Sequence, residues 1–344
     1  MIRREACCVG MGLRGLAVLR RSACIRGALA GLALWLGAGA AALAADRYAI
    51  VVSGASGGPQ YAEKYDRWRA DFVKALREQW RYPNDHVVVL AETSGTDTKV
   101  ATRDNVRAAF AALRTRVRTG DVVVVLLIGH GAGAEGEQAK FNLVGPDMTA
   151  AEWAEATRSL SSRLVFIDTA SGSFPFLETL AGRSRVVITA NDNAAQQFET
   201  VMPEFLVGAF NDPEADVDKN GKTSLWEAFS FASAGVARWF QERGQLATER
   251  PLLDDTGDGV GTEANGQATD GMMAKTLYLQ PDPVIPDSGN PEIDAVRRRR
   301  LSIEGELESL RFRRPQLTPE QYDDALEKLL LELAQIDRRL RQAL

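Results

Sequence analysis

The stretch DVVVVLLIGHGAG, residues 121–133, decides the fold. Seven consecutive apolar residues, Val122 to Ile128, leave no polar face, which is the pattern of a short strand covered on both sides rather than of a half-exposed one. The run stops at Gly129-His130-Gly131, and His130 is one of only two histidines in the chain. The flanking glycines allow close backbone approach and positive φ, which suits a crowded strand end. Similar apolar runs recur on either side: YAIVVSG (48–54), HVVVL (86–90), RLVFID (163–168) and RVVITA (185–190). Helical periodicity fills the gaps. Tyr61, Tyr65, Trp68, Phe72 and Leu76 fall on one helix face; Thr102 caps a helix carrying Val106, Phe110, Leu113 and Val117; Thr149-Ala-Ala-Glu152 is a capping box. Near-continuous strands alternating with amphipathic helices predict an α/β protein with a mostly parallel sheet flanked by helices on both faces. Ligands in such sheets bind beyond the carboxyl ends of the strands. LIGHGAG and DTASGS both end strands, so neighbouring strands would bring His130 and the hydroxyls of Thr169, Ser171 and Ser173 to one rim.

Composition limits what that rim can do. Residues 1–44 read as a signal peptide, with arginines 3, 4, 14, 20, 21 and 26, an apolar segment, and Ala42-Leu43-Ala44 as a small-residue cleavage pattern near Ala44 or Ala45. The expected location is periplasmic or secreted. An uncleaved membrane anchor is the alternative, although the alanine- and glycine-rich segment is weakly apolar for a span. Six arginines against Glu5 give this segment +5, so from a whole-chain charge of −5 the remainder carries about −10. Such acidity argues against nucleic acid or anionic lipid as the main partner, and no membrane association is expected after cleavage. Cys7, Cys8 and Cys24 all lie in the leader, so the mature chain has no thiol for catalysis, disulfide or metal.

After the α/β region, 45–282, the proline-rich PDPVIPDSGNP (281–291) makes 283–291 a linker. Residues 292–344 then carry two helical stripes, one of Val296, Ile303, Leu307 and Leu310, the other of Leu326, Leu329, Leu333, Ile336 and Leu340. Thr318-Pro319-Glu320-Gln321 supplies a cap, a proline at the first helical position and a capping-box return. This predicts a C-terminal α-helical hairpin with coiled-coil spacing, either a solvated arm or a site of homo-oligomer formation or partner docking.

Together, LLIGHGAG and FIDTASGS resemble the caspase-haemoglobinase fold of caspases, metacaspases, gingipains and legumains, and the legumain type in particular. There the catalytic cysteine stands two residues before a Ser-Gly pair. The resemblance spans roughly residues 48–245 and implies a caspase-like fold with His130 as the family histidine. The cysteine position falls on Thr169, or on Ala170 if the turn shifts by one. A threonine hydroxyl needs a strong base and a preorganised oxyanion site where a thiol needs little help. Two readings follow. One is a pseudopeptidase that keeps the cleft to bind a protein or peptide ligand; the other is a peptide hydrolase in which Ser171, Ser173 or Thr169 works with His130, Asp168 being a candidate orienting group. A simpler role for His130 is a strand-end histidine bonded to backbone, and His86, opening a strand, reads as structural. The Ser-Gly-Ser hydroxyls also suit the cap of the helix begun by FPFLETL. A third reading makes the hairpin the functional part.

Residues 216–227, DVDKNGKTSLWE, match the calcium-loop pattern D-x-[DN]-x-[DN]-G-x5-E in full. Calcium requires six to eight oxygens. Asp216, Asp218, Asn220, the Lys222 carbonyl, Ser224 through water and bidentate Glu227 would supply them, with Gly221 at the bend. Asn211-Asp212-Pro213 breaks the approach, so the loop is expected without a regular entering helix and with structural Ca2+. A second acidic run, LDDTGDGVGTE (253–263), lacks the terminal glutamate and reads as a solvated loop, with calcium as the alternative.

Overall fold

The computed structural model describes residues 45–132, 138–266, 270–281, 288–314 and 317–342. The expected signal peptide, residues 1–44, lies outside them, as does most of the 283–291 linker.

Strands β1 (Arg47–Ser53), β2 (Val87–Ala91), β3 (Thr98–Val100), β4 (Val122–Ile128), β8 (Arg163–Asp168), β9 (Arg185–Thr189) and β10 (Leu252–Asp254) form one sheet in the order β10-β9-β8-β4-β1-β2-β3. All pairs are parallel except β10 against β9. The fold is therefore the α/β class with a mainly parallel sheet, and β4 lies at its middle.

Alternation along β4 explains why its sequence shows none. Val122, Val124, Leu126 and Ile128 point to one buried layer, with helices α1 (Pro59–Lys74), α5 (Met202–Ala209) and α6 (Leu225–Glu242). Val123, Val125 and Leu127 point to the other, with α2 (Arg103–Arg114), α3 (Ala150–Thr157) and α4 (Phe174–Leu180). Two apolar neighbourhoods require apolar side chains at every position. The caps fall as the sequence predicts. The Thr102 hydroxyl accepts from the Asn105 amide, and Thr149 with Glu152 closes a reciprocal box. Past Lys74 the first helix widens into a π-turn over Ala75–Gln79, the Trp80 amide donating to the Ala75 carbonyl at 2.9 Å.

Three two-residue strands, β5 (Gly131–Ala132), β6 (Lys140–Phe141) and β7 (Met148–Thr149), make a small antiparallel sheet directly after His130. At the far end, α7 (Pro291–Arg313) and α8 (Pro319–Gln342) form the expected helical pair, burying Ile303, Leu310 and Ile336. The Thr318 box closes, with the Thr318 amide donating to Gln321 Oε1 and the Gln321 amide to Thr318 Oγ1.

The 253–263 run departs from the solvated loop expected of it. Asp254 is 1% exposed and accepts from the amides of Thr256, Gly257 and Gly259. Asp255 and Asp270, both buried, take further backbone amides. The charges of this turn hold its own backbone, and Leu252–Asp254 serves as the antiparallel edge strand.

Candidate functional site

Parallel pairing of β4 with β8 sets Leu127 opposite Asp168, so the two strand ends finish side by side. His130 and the 169–173 turn do share one rim. Gly131 is the point of contact. Its amide donates to Ser171 Oγ at 3.2 Å, and Ser171 Oγ donates to the Gly131 carbonyl, also at 3.2 Å. A Cβ on residue 131 would stand 2.1 Å from the Ser171 carbonyl oxygen, so only glycine permits this approach.

The three alcohols at the rim are engaged elsewhere than at the imidazole. Thr169, at the position that the resemblance gives to a nucleophile, is 0% exposed. Its hydroxyl donates to the Leu127 carbonyl at 2.5 Å, beside its own amide, which donates to the same oxygen at 3.1 Å. Ser171 is occupied by the Gly131 backbone. Ser173 stands at the N-cap position of α4 without capping it; its hydroxyl donates to Asn191 Oδ1 and accepts from the Ala190 amide. Asp168, considered as an orienting group, accepts from the Ala170 amide within its own turn, and burial pushes its carboxyl up to about 7.

His130 is half-buried. Tyr61 and Tyr65 of α1 meet its ring edge-on, with centroids 4.8 and 5.6 Å away. Burial lowers the imidazole pKa below its ordinary value, while Glu199 and the Ser56 backbone pull it back up. The Asn142 amide donates to the His130 carbonyl at 3.0 Å, tying the histidine to the small sheet. His86 is structural as expected. Its Nδ1 lies 3.0 Å from the Arg47 carbonyl oxygen, and its ring stacks on Tyr48.

Beyond the 169–173 turn lies a polar cavity of about 320 Å³ that the sequence did not reveal. Asp192, Gln196, Thr248 and Arg250 are among its walls. The Gly172 amide donates to the Gln196 carbonyl at 2.8 Å, so the cavity adjoins the same turn that touches Gly131. Glu249, next to it, is buried and takes the Val201 and Met202 amides at the start of α5, and burial raises its carboxyl to about 8. These residues sit on loops with no periodicity, and no spacing in the sequence linked them to His130.

In the 216–227 loop, carboxylate oxygens of Asp216, Asp218 and Glu227 lie within 4.8 Å of one another. Asp216 accepts from the amides of Asn220 and Gly221, Asn220 Oδ1 from the Lys222 amide, and Glu227 from the Val217 and Ser224 amides. Gly221 bends at φ 86°. Ser224 caps α6 with Glu227 in a third reciprocal box, so the last two expected ligands are fixed by a helix start. The entering side is a 3-10 turn, Pro213–Ala215, rather than a helix, as Pro213 foreshadowed. Three carboxylates gathered this closely, in a loop that also carries the Asn220 amide oxygen and the Ser224 hydroxyl, fit a hard cation of the calcium type.

No protein-family model and no curated protein matches the chain. Solved structures to which the chain is similar include protein GSU0716 from Geobacter sulfurreducens, the Drosophila initiator caspase Dronc and Chaetomium thermophilum Raptor. GSU0716 is 11% identical with TM-score 0.41, covering 61% of this chain and 92% of its own. Dronc is 10% identical with TM-score 0.43, covering 64% and 83%. Raptor is 9% identical with TM-score 0.37, covering 84% and 35%.

Proposed function

We propose that this protein is an exported, caspase- and legumain-like pseudopeptidase: a non-catalytic module, stabilised by calcium, that binds a protein or peptide at the rim of its sheet. The observation that carries the reading is the placement of Thr169. The hydroxyl standing where the resemblance expects a thiolate is buried and committed to the Leu127 carbonyl. Nucleophilic attack by an alcohol requires a base within hydrogen-bond reach and access to substrate, and the Thr169 hydroxyl, fully buried, lacks the second. What the rim offers instead is recognition chemistry. It presents an imidazole walled by Tyr61 and Tyr65 and a polar cavity beside the turn.

The calcium loop belongs to the same proposal. Asp216, Asp218, Asn220, the Lys222 carbonyl, Ser224 and Glu227 would hold the ion between the start of α6 and the turn before it, a structural rather than a signalling use for a single loop in a calcium-rich exterior.

Exposure of the purified protein to a serine-directed fluorophosphonate and to a mixed peptide library tests the claim. The expected result is neither labelling nor cleavage. Labelling that disappears in His130→Ala would overturn it in favour of a hydroxyl-nucleophile hydrolase.

A further inference from the structure

The hairpin has an inner face that is satisfied and an outer face that is not. Along the seam between the helices, Arg299 bonds Glu332 of α8 at 2.7 Å and Arg300 bonds Asp337 of α8 at 2.9 Å, while within α7 Arg299 bonds Glu306 at 2.6 Å and Arg300 bonds Glu304 at 2.9 Å. Outside, Leu330 is 47% and Leu331 56% exposed, and with Asp323, Leu326 and Glu327 they line a surface groove of about 420 Å³.

The residues around that groove have an order. At about 3.6 residues per turn, Asp323, Glu327, Leu330, Leu331, Ala334, Arg338 and Arg341 fall on one stripe of α8. Its first part is acidic, its middle apolar and its last part basic. Among the described residues, none of Asp323, Glu327, Arg338 and Arg341 has an ion-pair partner. Helix-dipole compensation accounts for acids in the first turn and arginines in the last, but its influence fades within one turn, and Glu327 lies deeper.

We propose that α8 pairs antiparallel with α8 of a second copy of this chain. A twofold axis beside residue 332 would set Asp323 against the second copy's Arg341, Glu327 against its Arg338, and Leu330 and Leu331 against its Ala334, within about half a residue of common register. Every contact then repeats by symmetry, as an isologous interface requires. A parallel arrangement would oppose acid to acid and arginine to arginine and is disfavoured. The occupant is therefore specified by charge order: a surface that is its own complement when reversed. The inference is independent of the reading of His130.

Sedimentation velocity on residues 45–344, from about 1 to about 100 µM, tests it. A reversible dimer is expected. Glu327→Arg and Arg338→Glu, singly, should each weaken it by about tenfold or more, because each opposes like charges twice. Combining both substitutions in one chain restores opposite charges across the axis and should restore the dimer. Leu330→Asp should abolish it, with the circular dichroism of every variant unchanged. A monomer at all concentrations overturns the proposal, as does a double variant no tighter than the singles. A dimer that survives deletion of 292–344 overturns it too, placing the contact on the α/β core; a different protein bound at α8 while the chain stays monomeric would likewise refute the second-copy assignment.

Discussion

Gly131→Ala perturbs the joint between the histidine strand and the 169–173 turn. The added Cβ would lie 2.1 Å from the Ser171 carbonyl oxygen and 2.9 Å from that of Lys140. Both are backbone atoms, so neither escapes by a rotamer change. Ordinary contact needs a separation of about 3.4 Å, so the two segments must part by more than about 1 Å. That movement breaks both bonds between Gly131 and Ser171, each worth about 1 kcal/mol. It adds an overpacking cost of about 1–3 kcal/mol at a junction closed by the buried Phe141. The total is roughly 3–5 kcal/mol, or a fall in melting temperature of about 10 °C for a chain of this size. Thermal and urea unfolding followed by circular dichroism would measure it. Ser171→Ala is the control, since it loses the same two bonds without the clash and should cost only about 1–2 kcal/mol. If Gly131→Ala melted no lower than Ser171→Ala, backbone approach would not be what glycine provides here, and the described contact between the two strand ends would be wrong.

Other perturbations follow from the same geometry. Glu249 has a folded-state pKa of about 8 against an ordinary value near 4.5, so its contribution to stability is fully present below about pH 4.5 and lost as pH rises through about 8. Asp168 acts in the same sense. Urea unfolding across this window should therefore show stability falling with pH, and Glu249→Gln should flatten that slope by up to about one proton; an unchanged slope would contradict the burial argument. For the 216–227 loop, calcium at about 100 times its dissociation constant should stabilise the fold by about 2.7 kcal/mol relative to chelator, and Glu227→Gln should remove most of that shift. Equal melting temperatures with calcium and chelator would rule out a functional loop. Tyr61→Ala opens one wall of the His130 pocket, so the imidazole pKa, read by NMR titration of its ring protons, should rise toward its ordinary value near 6.5. No movement would mean that Tyr61 does not exclude solvent from the ring.

The sheet was legible because its chemistry is written in consecutive letters. Val122 to Ile128 must be apolar throughout when both faces are covered, and the Thr102, Thr149 and Thr318 caps announce helix starts by side chains that bond three residues ahead. The edge strand Leu252–Asp254 was hidden because its carboxylate looks like a surface group. The amides of Thr256, Gly257 and Gly259, two to five residues ahead, close on Asp254 in a local turn and make its carboxylate a turn-former. Strands of two residues, such as Gly131–Ala132, have no period to detect. Tyr61 and Tyr65 were visible as a helix stripe, yet spacing says only that a face is covered, not that a histidine just past the end of β4 meets it.

The same distinction governs the rim. Sequence brings His130, Thr169, Ser171 and Ser173 together as residue types, and the β4/β8 pairing does place them together in space. Direction is a different property. Because Leu127 faces Asp168 in register, the Leu127 carbonyl is the first acceptor that residue 169 meets, and both its amide and its hydroxyl take it. Gly131 lies close enough to Ser171 to consume the second alcohol, and Asn191, two residues beyond β9, consumes the third. Each engagement is fixed by strand register, which no single motif encodes. A motif match at such a rim therefore identifies a place in the fold, while the backbone partners of its hydroxyls decide whether any of them is left to attack a substrate.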